Sequence, residues 1–200
     1  MASMRVLVNV PTFETISPDT FKAIWDMDKG QNEVDFGFTR GYDCARARND
    51  IARKAIAGGY DAVLMVDSDV VVPENALVTL LGHDSGVSLG WYARTDDENS
   101  TCIHGWGTTG YTRPYTTAEI AGYAASEGPV SVIRGGGMGC ALVRTWVFER
   151  LKRPWFAWTE HRSGSELSED FYFCEKCKEA GIHVTVDARV RCKHIGKRIV

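Results

Sequence analysis

No stretch of this sequence is long and apolar enough to span a bilayer, and none has the basic, apolar and small-residue order of a secretory leader. The N-terminal run Val6-Leu7-Val8-Asn9-Val10 contains Asn9 and stops at Pro11, which suits a buried strand. Charge of one sign is lacking too: 23 Lys plus Arg face 26 Asp plus Glu, a net charge of -3. That balance gives no global basic field for nucleic acid or an anionic membrane. Internal repeats and low-complexity linkers are absent, so one domain over residues 4–200 is the simplest description, with Met1-Ala2-Ser3 set aside from the fold argument. Six cysteines lie scattered through a chain long enough to need no staples, and they read as reduced thiols. Together these absences predict a cytoplasmic protein without a transmembrane segment.

What is present alternates strand and helix signals. Arg5 to Val10 reads as a strand, followed by a helix that Ser17 caps with Pro18 in its first turn. Glu33 to Thr39 alternates polar and apolar residues, and Cys44 to Ala57 sets Ala47, Ile51 and Ala55 at helical spacing before Gly58-Gly59. Asp61 to Val66 is an apolar run of the kind found at the centre of a parallel sheet, where helices cover both faces. The series β-α-β-α-β predicts an α/β sandwich with a mainly parallel central sheet. A short helix to about Leu81 and a strand near Val87 to Tyr92 complete the first half. From Ala93 to Gly128 periodicity fails, which predicts an irregular or hairpin-bearing segment of the kind that forms binding loops. Strand character resumes at Val130 to Ile133, and Cys140 to Leu151 reads as a strand running into a helix. A helix over Glu169 to Ala180 precedes two strands, around His183 to Val186 and Val190 to Lys193.

Asp67-Ser68-Asp69 follows the buried run Ala62 to Val66, so its carboxylates emerge at the C-terminal edge of the sheet, where open α/β sheets hold their ligands. Hard oxygen donors at that edge suit Mn2+ or Mg2+, ions that readily share coordination with phosphates. An isolated D-x-D also occurs as a helix cap or a turn, so the surrounding sequence has to decide.

Val66-Asp67-Ser68-Asp69 after a hydrophobic strand resembles the D-x-D signature of GT-A type glycosyltransferases, particularly glycosyltransferase family 2. Val10-Pro11-Thr12 resembles that family's opening loop, and Ala47-Arg48-Asn49 with Ala52-Arg53 its helix before the metal strand. Gly135-Gly136-Gly137-Met138-Gly139 is similar to its Gly-rich acceptor-side turn, and Ser168-Glu169-Asp170 with His194-Ile195-Gly196 to its closing E-D helix and H-x-G. The resemblance implies a GT-A (Rossmann-like) α/β/α domain, with residues 4–92 as the nucleotide and metal half and 93–200 as the acceptor half. It implies sugar transfer, with inversion, from a nucleotide-sugar donor, by analogy a UDP-sugar, to an acceptor hydroxyl. Pro11, Thr12, Arg48 and Asn49 would surround the donor base and ribose. Asp67 would face ribose or metal, with Ser68 beside the donor, and Asp69 would bind the metal with His194 completing the shell. Gly136 and Gly137 would let the backbone approach a sugar, since glycine lacks the steric barrier to such approach. Asp170 would be the general base, with Glu169 its competitor, because displacement at an anomeric carbon needs a carboxylate near the acceptor proton. The acceptor, whether saccharide, lipid-linked intermediate, protein or modified nucleic-acid base, is not legible.

Other readings compete. Cys174 and Cys177 with Cys192 and His194 have the donor types of a zinc set. A nucleotidyltransferase also places carboxylates and metal on an α/β sheet, although Val10 to Ser17 lacks the basic, Gly-rich loop a triphosphate calls for. A non-catalytic sugar-nucleotide or carbohydrate-binding module would use Trp91, Trp106, Tyr111 and Tyr115 as stacking platforms.

Overall fold

The computed structural model describes residues 3–41, 43–106, 112–124, 133–160 and 166–195. Its first half alternates β1 (Arg5–Thr12), α1 (Pro18–Asp26), β2 (Glu33–Arg40), α2 (Cys44–Ala57) and β3 (Ala62–Val66). A short β4 (Val70–Val71), α3 (Ala76–Leu81) and β5 (Val87–Trp91) follow. The second half holds β6 (Ser100–Trp106), β7 (Thr112–Thr116), α4 (Thr117–Ala124), β8 (Gly135–Gly136), β9 (Cys140–Arg144) and α5 (Thr145–Arg150). It closes with β10 (Thr159–Glu160), β11 (Glu166–Leu167), α6 (Glu169–Glu179), β12 (Val184–Arg191) and β13 (Lys193–His194).

Local chemistry explains the longest helix. Asp43 caps α2 by accepting from the amides of Ala45 at 3.2 Å and Arg46 at 3.1 Å. Gly59, at φ +64°, takes the left-handed conformation that turns the chain out of it. The apolar stripe of α2, Ile51, Ala52 and Ala55, is fully buried against the sheet.

Among the described residues the main sheet has six strands in the order β12-β5-β9-β3-β1-β2. All neighbours are parallel except β9, which runs antiparallel to both β3 and β5. Central β3 is buried along its whole length, and the two-residue period of a strand divides it between two cores. Val63 and Met65 join the core beneath α2, α5 and α6, whereas Ala62, Leu64 and Val66 join the one beneath α1 and α3. The expected sandwich with a mainly parallel sheet is therefore the observed architecture. No helix among the described residues is long and apolar enough to cross a membrane.

Two regions differ from the sequence reading. The segment from Ala93 holds a real hairpin, β6 with β7, whose ladder is interrupted between Ser100 and His104 and carries Pro114, so no alternation shows in the sequence. The expected strand from Val130 lies outside the described residues except for Ile133. The two C-terminal strands are a single β12 with an irregularity between Val186 and Arg191, followed by the separate β13.

That irregularity contains Asp187, which is completely buried. Its carboxylate accepts from the Arg189 amide at 2.9 Å and the Arg189 guanidinium at 3.0 and 2.8 Å, with His83 Nε2 2.8 Å away. Burial pushes its pKa up, but these hydrogen bonds outweigh burial and hold it below the ordinary carboxylate value. A carboxyl so depressed adds stability above its unfolded pKa of about 3.9, and that stability is lost as pH falls through the folded value. Asp187→Asn is expected to lose about 2–3 kcal/mol at neutral pH, discounted because Arg189 is half exposed and rehydrates. Urea titrations at neutral pH and below about pH 4 check this, with the gap between the two proteins narrowing in acid.

Candidate functional site

Parallel strands bring their C-terminal ends to one edge, and antiparallel β9 brings its N-terminal end to the same edge. Thr12, Arg40, Asp67 to Asp69, Tyr92, Gly137 to Cys140 and the turn from β12 into β13 therefore meet there. The Asp67 amide donates to the Gly139 carbonyl at 3.0 Å, extending the β3 to β9 ladder into the motif. On the other side the Ser17 amide, at the start of α1, donates to the Ser68 carbonyl at 2.8 Å. β13 pairs antiparallel with β4, matching His194 to Val70, and the Ile195 amide donates to the Asp69 carbonyl at 2.8 Å. This small ladder sets His194 Nε2 3.3 Å from Asp69 Oδ2. Asp69 raises the imidazole pKa by that contact, against the opposing effect of burial. The His194 ring lies against the buried Tyr92 ring, with centroids 5.1 Å apart.

Asp67 faces the other way. Arg48, only 3% exposed on α2, donates to Asp67 Oδ1 at 2.9 Å and Oδ2 at 3.2 Å, a two-pronged clamp. Its Nε has no hydrogen-bond partner and lies 3.5 Å from Glu169 Oε1 on the first turn of α6. Burial works against the Arg48 charge, but Asp67, Glu169 and Asp170 outweigh it, so the guanidinium is held ionised. Glu169 is nearly as buried, and burial with Asp170 beside it pushes its carboxyl pKa up despite Arg48.

Asp170 is less enclosed than Glu169. Its Oδ1 accepts from the Ser168 hydroxyl and from the Phe171 amide at 3.1 Å. Its charge acts on Arg48, Tyr92, Cys102 and His104, and that of Asp67 acts on Arg48 and Tyr92 as well. His104 sits edge-on to Phe171 at 4.7 Å, and burial together with Arg94 lowers its pKa and favours the neutral ring.

The structure thus brings together Arg48, Asp67, Asp69, Glu169, Asp170 and His194. Of the three proposed metal ligands, Asp69 and His194 form a pair while both Asp67 oxygens face Arg48. Among the described residues no three His, Cys, Asp or Glu side chains converge on one metal position. Pro11 is buried at the end of β1, and the Thr12 hydroxyl donates to the Thr15 carbonyl at 2.7 Å. Asn49 turns away from the edge. Its amide nitrogen donates to the Ala45 and Phe156 carbonyls at 2.7 Å each, and its oxygen accepts from the Trp155 amide at 3.0 Å. It tethers the segment after α5 to α2. Gly136 and Gly137 have a packing reason for lacking a side chain: a Cβ would come 2.7 Å from Ile103 Cδ1 and 2.5 Å from the Tyr92 hydroxyl, respectively. Arg134, on the same turn, pairs with Glu175 at 2.5 Å.

The zinc reading fails on placement. Cys174 and Cys177 lie in the core beneath α6, whereas Cys192 lies in the core on the other sheet face, beside Cys140. Trp91 is a core side chain that donates to the Ala188 carbonyl at 2.8 Å, so it offers no stacking surface. Tyr111, Gly196, Lys197, Arg198 and the side chain of Trp106 lie outside the described residues.

Several residues at this edge escaped the sequence reading. A cavity of about 460 Å³ beside the end of β1 is lined by Phe13, Glu14, Arg40, Gly41, Arg46 and Asp50. Tyr92 and Cys102 lie under the motif, with burial pushing the Cys102 thiol up to about 12 and the Tyr92 phenol well above its ordinary value. Arg40 and Tyr92 were findable, because each ends or follows a parallel strand at the edge where ligands gather.

No family model matches the chain, and no curated protein matches it in sequence. Its fold is similar to that of solved structures. A197 from STIV superposes with a TM-score of 0.66 at 17% identity, covering 97% of this chain and 87% of that one. GalNAc-T7, solved with UDP, GalNAc and Mn2+, gives a TM-score of 0.58 at 13% identity, covering 97% of this chain and 44% of that one. The chain thus spans less than half the length of GalNAc-T7. At such identities the likeness is one of fold, and the fold is GT-A-like.

Proposed function

We propose that this chain is a metal-dependent glycosyltransferase that takes a nucleotide-sugar, by preference a UDP-sugar, and transfers its sugar to an acceptor hydroxyl with inversion. The observation that carries the reading is the Asp69 and His194 pair at the C-terminal edge of the sheet, next to Asp67, whose partner Arg48 also feels the charge of Asp170, with a cavity of about 460 Å³ at the end of β1. The GT-A-like fold, shared with a protein solved with UDP and Mn2+, supports it.

Asp69 and His194 fit a Mn2+ or Mg2+ site. Such ions are commonly held by one or two protein carboxylates with substrate phosphates filling the remaining positions, and an imidazole beside carboxylate oxygen favours manganese. Bound there, the ion would offset the charge growing on the leaving diphosphate. Phe13 offers a ring face to the base, while Arg40 and Arg46 supply donors to its carbonyls or to the ribose. Arg48 holds Asp67 rigid, so that its partly exposed carboxylate is a fixed acceptor for a ribose hydroxyl. On the acceptor side Asp170 takes the hydroxyl proton as the oxygen attacks the anomeric carbon. The bond from that carbon to the diphosphate breaks in the same displacement, and its electron pair leaves with the nucleotide, which inverts the anomeric centre. Glu169 is committed to Arg48, which is why the role falls to Asp170.

Calorimetric titration of UDP, with GDP as control, in manganese and in chelator tests this reading. Metal-dependent UDP binding that vanishes in Asp69→Ala is the expected result. Absence of nucleotide binding in every condition would sink it in favour of a carbohydrate-binding module.

A further inference from the structure

Strand β2 closes one side of the main sheet, and among the described residues no other strand pairs with its outer side. The amides of Glu33 and Gly41 donate inward, to the carbonyls of Met4 and Thr12 on the β1 side. Alternation then turns the backbone groups of Val34, Phe36, Phe38 and Arg40 outward. The same alternation puts the side chains of these four residues on one face, the face toward α1. Phe36 lies 6.1 Å from Phe21 and 4.9 Å from Phe38, and Phe21 lies 6.4 Å from Trp25, all measured between ring centroids. Phe21, Trp25, Phe36 and Phe38 nevertheless remain 41%, 72%, 41% and 45% exposed. Between α1 and β2 a crevice of about 110 Å³, lined by Phe21, Ile24, Trp25, Val34 and Phe36, stands open to this surface.

The eight-residue edge has no proline and no bulge, and it keeps an unbroken register to β1, so its backbone is shaped to take another strand. Among the described residues, what guards it is Lys54 Nζ on the Phe38 carbonyl, at 3.3 Å, and the strand's own charged residues Glu33, Asp35 and Arg40. We propose that this edge is the interface of a twofold homodimer, in which β2 pairs antiparallel with β2 of a second copy and continues the sheet. Centring the pair on Phe36 sets Phe36 against its own copy and Val34 against the partner's Phe38, so the outward backbone groups pair with one another. That register sets Glu33 against the partner's Thr39 and Asp35 against the partner's Gly37, so no two like charges stand directly opposite across the seam.

The area is of the right order. At about 200 Å² per aromatic side chain, the four exposed fractions amount to roughly 400 Å² of ring surface per copy. A standard interface takes about 800 Å² from each partner, somewhat more than half of it apolar. The rings thus supply most of the apolar part, and the paired strand backbones supply polar area beside it. The interface stands independently of the catalytic reading.

Sedimentation equilibrium of the whole chain, from low to high micromolar, tests it. The expected species has twice the 22.2 kDa of the chain. Phe36→Asp, in the strand, and Trp25→Ser, on the exposed helix face, are each expected to weaken the dimer at least tenfold while circular dichroism stays native. Should Phe36→Asp fail to fold, Trp25→Ser carries the test alone. A wild-type chain that stays monomeric throughout, or a dimer whose Kd moves in neither folded variant, overturns the proposal.

Discussion

Replacing Arg48 by methionine is expected to cost about 3–5 kcal/mol of folding stability, because it strands two carboxylates that the guanidinium now neutralises. The buried arginine clamps both oxygens of Asp67 and lies 3.5 Å from Glu169, itself almost fully buried. Asp67 is partly exposed and water recovers some of its loss, so most of the cost falls on Glu169. The Glu169 pKa is already raised, and without Arg48 it rises further. A carboxyl with a folded pKa above its unfolded value costs stability as pH climbs past the unfolded value, and protonation removes that cost. The deficit of Arg48→Met is therefore expected to shrink as pH is lowered toward about 5, which urea titrations at two pH values would reveal. Arg48→Lys keeps the charge but loses the fork, and should recover only part of the stability. A pH-independent deficit would mean that lost packing, not stranded charge, is responsible.

The second large effect concerns turnover. Asp170→Asn is expected to lower kcat by about 10²- to 10⁴-fold, the range for loss of a general base, while nucleotide affinity stays unchanged. Asparagine keeps the shape and can still accept from the Ser168 hydroxyl and the Phe171 amide that now hold the carboxylate, so the helix start should survive. Glu169→Gln makes the contrast: it weakens the Arg48 contact and should register mainly as lost stability. Release of UDP from a panel of UDP-sugars, with water as the acceptor, measures both variants without knowledge of the natural acceptor. Equal rates for Asp170→Asn and the wild type would remove Asp170 from the chemistry.

The elements that sequence revealed best are those whose burial is uniform. The run Ala62 to Val66 has no polar residue because both its faces are covered, and the helix over Cys44 to Ala57 shows its apolar stripe and the glycines that follow it in the sequence itself. From these two, the position of Asp67 to Asp69 at a sheet edge follows. The C-terminal strands were harder to read because Asp187 and Arg189 interrupt an apolar pattern, and only the folded structure reveals that His83 and Arg189 satisfy that buried carboxylate. Side-chain direction was the least legible feature. Arg48 and Asn49 are neighbours in sequence, yet helical spacing sends one to Asp67 and the other to the backbone of residues 155 and 156. The glycines likewise read as an approach for a ligand, whereas Tyr92, Ile103 and Leu89 occupy the space.

The ladder that joins His194 to Val70 also sets a schedule. On the ribosome, the carboxylates of residues 67 to 69 emerge early, with the strands that carry them, but the imidazole that completes the pair is more than a hundred residues behind. Contacts of such sequence separation form late, because a long loop must close before they return any energy. A nascent chain can therefore build most of its sheet and still lack the Asp69 and His194 pair, which forms only when β13 threads back onto the motif.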